Sequence, residues 1–166
     1  MKFNKIFILG GIGSGKTTLA NKLSKILKIK NYELDDIAYK RREAYEKQKP
    51  EIRDKKLKSI IKRKKWIIEG FYSRSWIYPI YKKTDIVVIL NTKPSISKRR
   101  IIKRFLKRKL LSKRKTNLKR TMKIIKYIND YPKYFKIQKE TAKQSKKKLL
   151  ILHNNKQINE FLKSLK

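Results

Sequence analysis

The chain of 166 residues is long enough for one α/β domain with its own core, and the absence of cysteine excludes disulfide and thiolate chemistry. Its 49 Lys plus Arg against 12 Asp plus Glu leave a net charge of +37, far beyond what solubility requires, so nonspecific affinity for nucleic acid or another polyanion is a candidate property. No apolar run approaches the roughly 20 residues that cross a bilayer, and the amino terminus enters a strand at once, so a cytoplasmic protein with no membrane partner and no signal peptide is expected.

The first predicted element is a strand over about Lys5 to Leu9, carrying the apolar run Ile6-Phe7-Ile8-Leu9. Residues 10 to 17 then read G-G-I-G-S-G-K-T, a complete phosphate loop of the form G-x-x-x-x-G-K-[ST]. A helix follows from Lys16 to about Leu27, with Leu19, Leu23, Ile26 and Leu27 on one stripe. Gly10, Gly13 and Gly15 allow backbone conformations closed to residues with a Cβ, so consecutive N–H groups can converge on phosphate oxygens. The nucleotide site is therefore assigned to Gly11, Ile12, Gly13, Ser14, Gly15, Lys16, Thr17 and Thr18. Lys16 is placed to neutralise the β- and γ-phosphates of ATP, Thr17 to offer its hydroxyl to Mg2+, and the helix amino terminus to add its positive dipole.

Tyr32 to Leu34 reads as a short second strand followed by Asp35 and Asp36, and Pro50 opens a helix with Leu57, Ile60 and Ile61 on one face. Trp66-Ile67-Ile68 and Ile86 to Leu90 are unbroken apolar runs, the pattern of strands buried on both faces, and Pro94 starts the next helix. There, Ile101, Ile102, Phe105, Leu106 and Leu110 are predicted to cover the core side, with Arg99, Arg100, Lys103, Arg104, Lys107 and Arg108 recurring opposite. Ser112 to Asn117 reads as a basic turn, the tip of a lid over about 104–120 that closes on phosphates and shields them from water. Pro132 is expected to end or kink the helix that begins at Leu118. Lys148 to Leu152 reads as a fifth strand, and Gln157 to Leu165 as a closing helix with Ile158, Phe161, Leu162 and Leu165 inward. Strands alternating with helices predict one domain over residues 1–166, an α/β fold whose parallel sheet carries helices on both faces.

In a chain with so few acids, those at strand ends are informative. Ligands of open α/β sheets bind outside the carboxyl ends of the strands, which brings Asp35, Asp36 and Glu69 toward the phosphate loop. One acid can hold the waters of Mg2+ while another orients or deprotonates an acceptor hydroxyl. The run Ile86 to Leu90 ends in Asn91 where a metal-site Asp would stand, so Glu69 is assigned to the metal beside Thr17. Asp35 is assigned to the acceptor, and Asp36 is read as a cap. Arg74 is placed to hold an acceptor phosphate by a bidentate contact. His153, the only histidine, has no second His or Cys to complete a metal site and is read as structural or as a contact near the base.

Taken in order, G-G-I-G-S-G-K-T-T-L-A, Tyr32-Glu33-Leu34-Asp35 with Tyr39, W-I-I-E-G-F-Y-S-R-S, and D-I-V-V-I-L with Pro94 and an Arg-rich helix resemble the adenylate-kinase-like P-loop proteins. Within these the chain looks most like the DNA topology modulation proteins, over roughly its first 110 residues. Their turn after the third strand reads D-G-N-Y-S-R, or D-G-F-P-R in adenylate kinases; here Glu69 replaces the Asp, and Phe71-Tyr72 mixes the two forms. The resemblance implies a nucleoside-monophosphate-kinase fold with parallel strand order 2-3-1-4-5, and lid arginines that clamp ATP, here Arg100 and Arg104. A lid without cysteine implies no zinc.

The activity expected from these readings is transfer of the γ-phosphoryl of ATP to a nucleotide or other small acceptor, with Mg2+ as cofactor. The alternative is a nucleic-acid-associated P-loop NTPase or ATP-dependent binding module in which the charge of +37 is the functional feature. A kinase this basic also adheres to DNA at low salt, so the two differ in whether nucleic acid accelerates hydrolysis.

Overall fold

A computed structural model describes residues 3–41, 46–111 and 118–165. In chain order its elements are β1 (Lys5–Gly10), α1 (Lys16–Leu27), β2 (Asn31–Glu33), α2 (Leu34–Ala38), β3 (Tyr39–Arg41), β4 (Glu46–Lys47), α3 (Pro50–Ile61), β5 (Trp66–Gly70), α4 (Tyr78–Lys83), β6 (Ile86–Leu90), α5 (Pro94–Leu111), α6 (Leu118–Gln144), β7 (Lys148–Leu152) and α7 (Asn155–Lys163). Five strands form one parallel sheet in the order β2-β5-β1-β6-β7, which is 2-3-1-4-5 when only these strands are counted. The short β3 and β4 pair antiparallel as a separate ribbon.

Alternation along the central strands divides the core into two layers. Phe7, Leu9, Ile68, Val87 and Ile89 face a cluster with Leu34 and Ile37 of α2, Leu57 and Ile60 of α3, Ile80 of α4 and Ala142 of α6. Ile6, Ile8, Ile67, Val88 and Leu90 face the other way, onto Leu19, Ala20 and Leu23 of α1 and Phe161 and Leu162 of α7. Every residue of β5 and β6 is buried, as unbroken apolar strands between two helical layers must be. In register, Leu9 stands opposite Gly70 and Gly10 opposite Leu90, so the loop leaving β1 emerges between the carboxyl ends of β5 and β6.

Several expectations need correction. Leu34 is the first residue of α2 and not the last of the second strand, because burying its side chain in the first cluster turns the chain into a helix and puts Asp35 and Asp36 in that helix's first turn. Of the predicted core stripe on α5, Ile101 is buried but Ile102, Leu106 and Leu110 are exposed, since α5 meets the core along a narrower face than its apolar pattern offers. Pro132 does not end α6, which continues through it to Gln144. The closing helix begins at Asn155, capped by the Asn154 side chain, which accepts from the Gln157 N–H at 3.0 Å. The lid tip predicted at 112–117 lies outside the described residues.

Candidate active site

The phosphate loop is held from three sides. Gly13 has φ of +77°, and a Cβ there would lie 2.8 Å from the Ser97 carbonyl of α5. A Cβ on Gly11 would lie 2.8 Å from the ring of Tyr131 of α6, whose hydroxyl donates to the Leu90 carbonyl at 3.2 Å. Arg100 of α5 donates through Nη1 to the Ser14 carbonyl at 2.7 Å and to the Gly13 carbonyl at 3.3 Å. The Thr92 hydroxyl also donates to the Ser14 carbonyl, at 3.1 Å. With that carbonyl held, peptide planarity turns the Gly15 N–H the opposite way, away from Arg100.

A cleft of about 870 Å3 opens beside the loop. It gathers Ile12, Gly13, Gly15, Lys16, Thr17 and Thr18 of the assigned nucleotide site with Asp35, Glu69, Arg100 and Arg104. Gly11 lies beneath Tyr131 and Ser14 is buried, so these two support the loop from behind the cleft wall. Arg74 is exposed at the start of a 3-10 turn over Ser75–Ile77 and is not on that wall. Asp36 is exposed in the first turn of α2, and its carbonyl accepts from Lys56 Nζ at 2.6 Å. His153 is exposed beyond β7, its backbone N–H donating to Gln157 Oε1 at 2.7 Å.

Electrostatics at the cleft floor are unusual for so basic a chain. Lys16 Nζ donates to the Gly11 carbonyl at 3.0 Å. Burial pushes its ammonium below the ordinary value, against the attraction of Glu69, Asp35 and Glu33. Thr17 Oγ1 donates to Glu69 Oε1 at 2.6 Å, which leaves the lone pairs of the hydroxyl for a ligand. Burial pushes the Glu69 carboxyl up, opposed by Lys16 and the Thr17 hydrogen bond. On the facing side Tyr72 donates its hydroxyl to Asp35 Oδ1 at 3.0 Å; burial first, and then the Asp35 charge, raise its pKa and keep it a donor.

Sequence pattern alone gives Glu33, Tyr131 and Asn155 no role. Glu33 stands directly opposite Glu69 in the β2-β5 register and lines the cleft. Its signal was its place two residues before Asp35 at a strand end. Tyr131 meets Gly11 across 120 positions of chain, and no local pattern announces that. Asn155 Oδ1 accepts from Arg100 Nη2 at 3.4 Å.

No protein-family model matches the chain, and a search of curated proteins finds no match. Solved structures do match. A shikimate kinase from Acinetobacter baumannii in complex with shikimate superposes with a TM-score of 0.61 at 17% identity, covering 99% of this chain and 91% of its own. The shikimate kinase of Bacteroides thetaiotaomicron gives 0.59 at 16% identity, with 99% and 97% covered. The fold is that of the P-loop kinases. A sugar kinase from Janibacter sp. HTCC2649 agrees, with a TM-score of 0.54 at 15% identity over 99% of this chain and 94% of its own. These likenesses carry the P-loop kinase fold and not the narrower DNA topology modulation family. In a P-loop kinase fold the cleft described here lies at the carboxyl ends of the strands, where open α/β sheets take their ligands.

Proposed function

We propose that the protein is an ATP-dependent phosphotransferase acting on a hydroxyl of a small molecule. The observation that carries this reading is the convergence, in one cleft, of Lys16 and Thr17 with two carboxylates in different settings: Glu69 bonded to Thr17, and Asp35 bonded to Tyr72. The loop and Lys16 would hold the β- and γ-phosphates of ATP.

The Thr17 hydroxyl and Glu69 carboxylate are hard oxygen donors of the kind Mg2+ prefers. Among the described residues no group of three or more His, Cys, Asp or Glu forms a cage, which fits an ion held largely by phosphates and water. Bound there, Mg2+ would neutralise charge on the phosphate oxygens. Asp35, oriented by the Tyr72 hydroxyl, accepts the acceptor's proton as its oxygen bonds to the γ-phosphorus and the bond to the departing ADP oxygen breaks. Arg104 on the cleft wall and Arg100 behind the loop would add positive charge around the transferred group.

The test is acceptor-dependent ADP release across nucleosides, nucleoside monophosphates, sugars and small metabolites. Turnover with one class is expected. The charge of +37 favours the alternative of a nucleic-acid-associated NTPase. No acceptor-dependent release, together with DNA or RNA raising ATP hydrolysis many-fold near physiological salt, would replace the phosphotransferase by that alternative.

A further inference from the structure

The geometry points to an acceptor alcohol that bears no phosphate or carboxylate and is favoured by an amino group. This rests on the phosphotransferase reading and narrows its substrate. The chain holds 12 acids, yet Glu33, Asp35 and Glu69 line one cleft. Glu33 and Glu69 are direct partners on adjacent parallel strands, a like-charge neighbourhood that costs stability unless a ligand uses it. Asp35 follows at the start of α2. All three attract the Lys16 ammonium, so their charge is concentrated at the reacting end of the cleft.

The cations on the wall, among the described residues, stand on the other side. Lys16 and Arg100 serve the phosphate loop through its carbonyls, and Arg104 lies one helical turn beyond Arg100. The described acceptor side, from β2, α2 and the turn after β5, carries carboxylates and the rings of Tyr39, Phe71 and Tyr72. Arg74 is exposed off the wall, and Arg53 lies over the Trp76 ring at 4.9 Å while pairing with Asp54 at 2.7 Å. An anionic acceptor would have to shed water beside like charges, whereas an ammonium group would be neutralised there and could rest on an aromatic face. The basic exterior attracts anions everywhere else, so the preference is a property of this wall and reverses the sign of the molecule around it.

Calorimetry with a non-hydrolysable ATP analogue and Mg2+ decides this with matched pairs: glucosamine against gluconate, and adenosine against AMP. The amine and the uncharged nucleoside should bind at least about tenfold more tightly than their anionic counterparts, and Glu33→Gln should shrink the glucosamine-to-gluconate ratio at least about threefold. Tighter binding of gluconate or AMP, no binding by either class, or an unchanged ratio in Glu33→Gln would each overturn the inference. ADP release on the same panel separates the two readings. Binding of the amine without release removes the phosphotransferase and keeps the acceptor chemistry, while release with AMP or gluconate as preferred acceptor does the reverse.

Discussion

The central sheet and the α5–α6 pair are built from the same apolar residue types with opposite results. Ile, Val and Leu in β5 and β6 are wholly enclosed, whereas Leu110 of α5 is 80% exposed and Met122 of α6 is 59% exposed. A strand between two helical layers buries whichever face it presents; a helix with one neighbour buries only the stripe that neighbour covers. Apolar periodicity therefore reports burial reliably at the sheet and overstates it on the helical pair. The phosphate loop springs from the first region, and Arg100 and Arg104 come from the second.

The contrast is sharpest in stability. Phe7 is fully buried with its ring 5.1 Å from that of Tyr81, so Phe7→Ala should cost about 3–5 kcal/mol in urea unfolding, while Leu110→Ala should stay within about 0.5 kcal/mol. Comparable losses at both positions would erase the distinction. Lys16→Ala should weaken ATP·Mg2+ binding roughly 100-fold by removing charge-assisted hydrogen bonds, with little change in the unfolding midpoint. Equal affinities would show that the loop binds its ligand without the lysine.

Asp35→Asn and Glu69→Gln should each lower turnover about 100-fold with little effect on folding, and an active variant would reduce that residue to a surface or capping charge. Because burial raises the Glu69 pKa, the carboxyl takes up its proton at a higher pH than an ordinary glutamate as acid is added. Metal-dependent ATP affinity should therefore decline with falling pH before ordinary carboxylates titrate, and this limb should vanish in Glu69→Gln. The same shift means that Glu69 favours the fold below its unfolded pKa and loses that contribution as pH rises through the folded one. The smallest effect on catalysis belongs to the outer helix face. Reversing the exposed Arg99, Lys103 and Lys107 should reduce the salt slope of nucleic-acid binding by roughly 0.9 for each phosphate no longer neutralised, with acceptor phosphorylation largely intact. An unchanged slope would place the polyanion surface elsewhere.

What could be read in advance follows the range of the forces involved. Helix α1 runs from Lys16 to Leu27, its predicted span, because Gly15 ends the loop and the apolar stripe is local. Pro50 and the run from Ile86 to Leu90 likewise carried their own boundaries. Leu34 misleads because a buried leucine at a strand's edge serves a helix equally well, and tertiary packing chooses. The bracing of the loop by Arg100 and Tyr131 was invisible for another reason: both reach it from elements about 85 and 120 positions away, through a carbonyl and a ring face that no periodicity encodes. Resemblance assigns Arg100 to ATP, and the geometry shows it gripping the loop's own carbonyls.

Pro132 inside α6 divides one helix into two hydrogen-bonding ladders, since its ring brings no amide to the carbonyl of Ile128. The later stretch is clamped by Phe135 and Ala142 against the sheet, while Leu118, Met122 and Tyr127 of the earlier stretch are turned outward. The two should behave as separate cooperative units, with backbone amides exchanging with solvent many times faster before residue 128 than after residue 135. Uniform protection along the helix would show that the break is bridged. With Tyr131 set at this junction and touching Gly11, the boundary between the slow and fast halves of the helix falls beside the nucleotide loop itself.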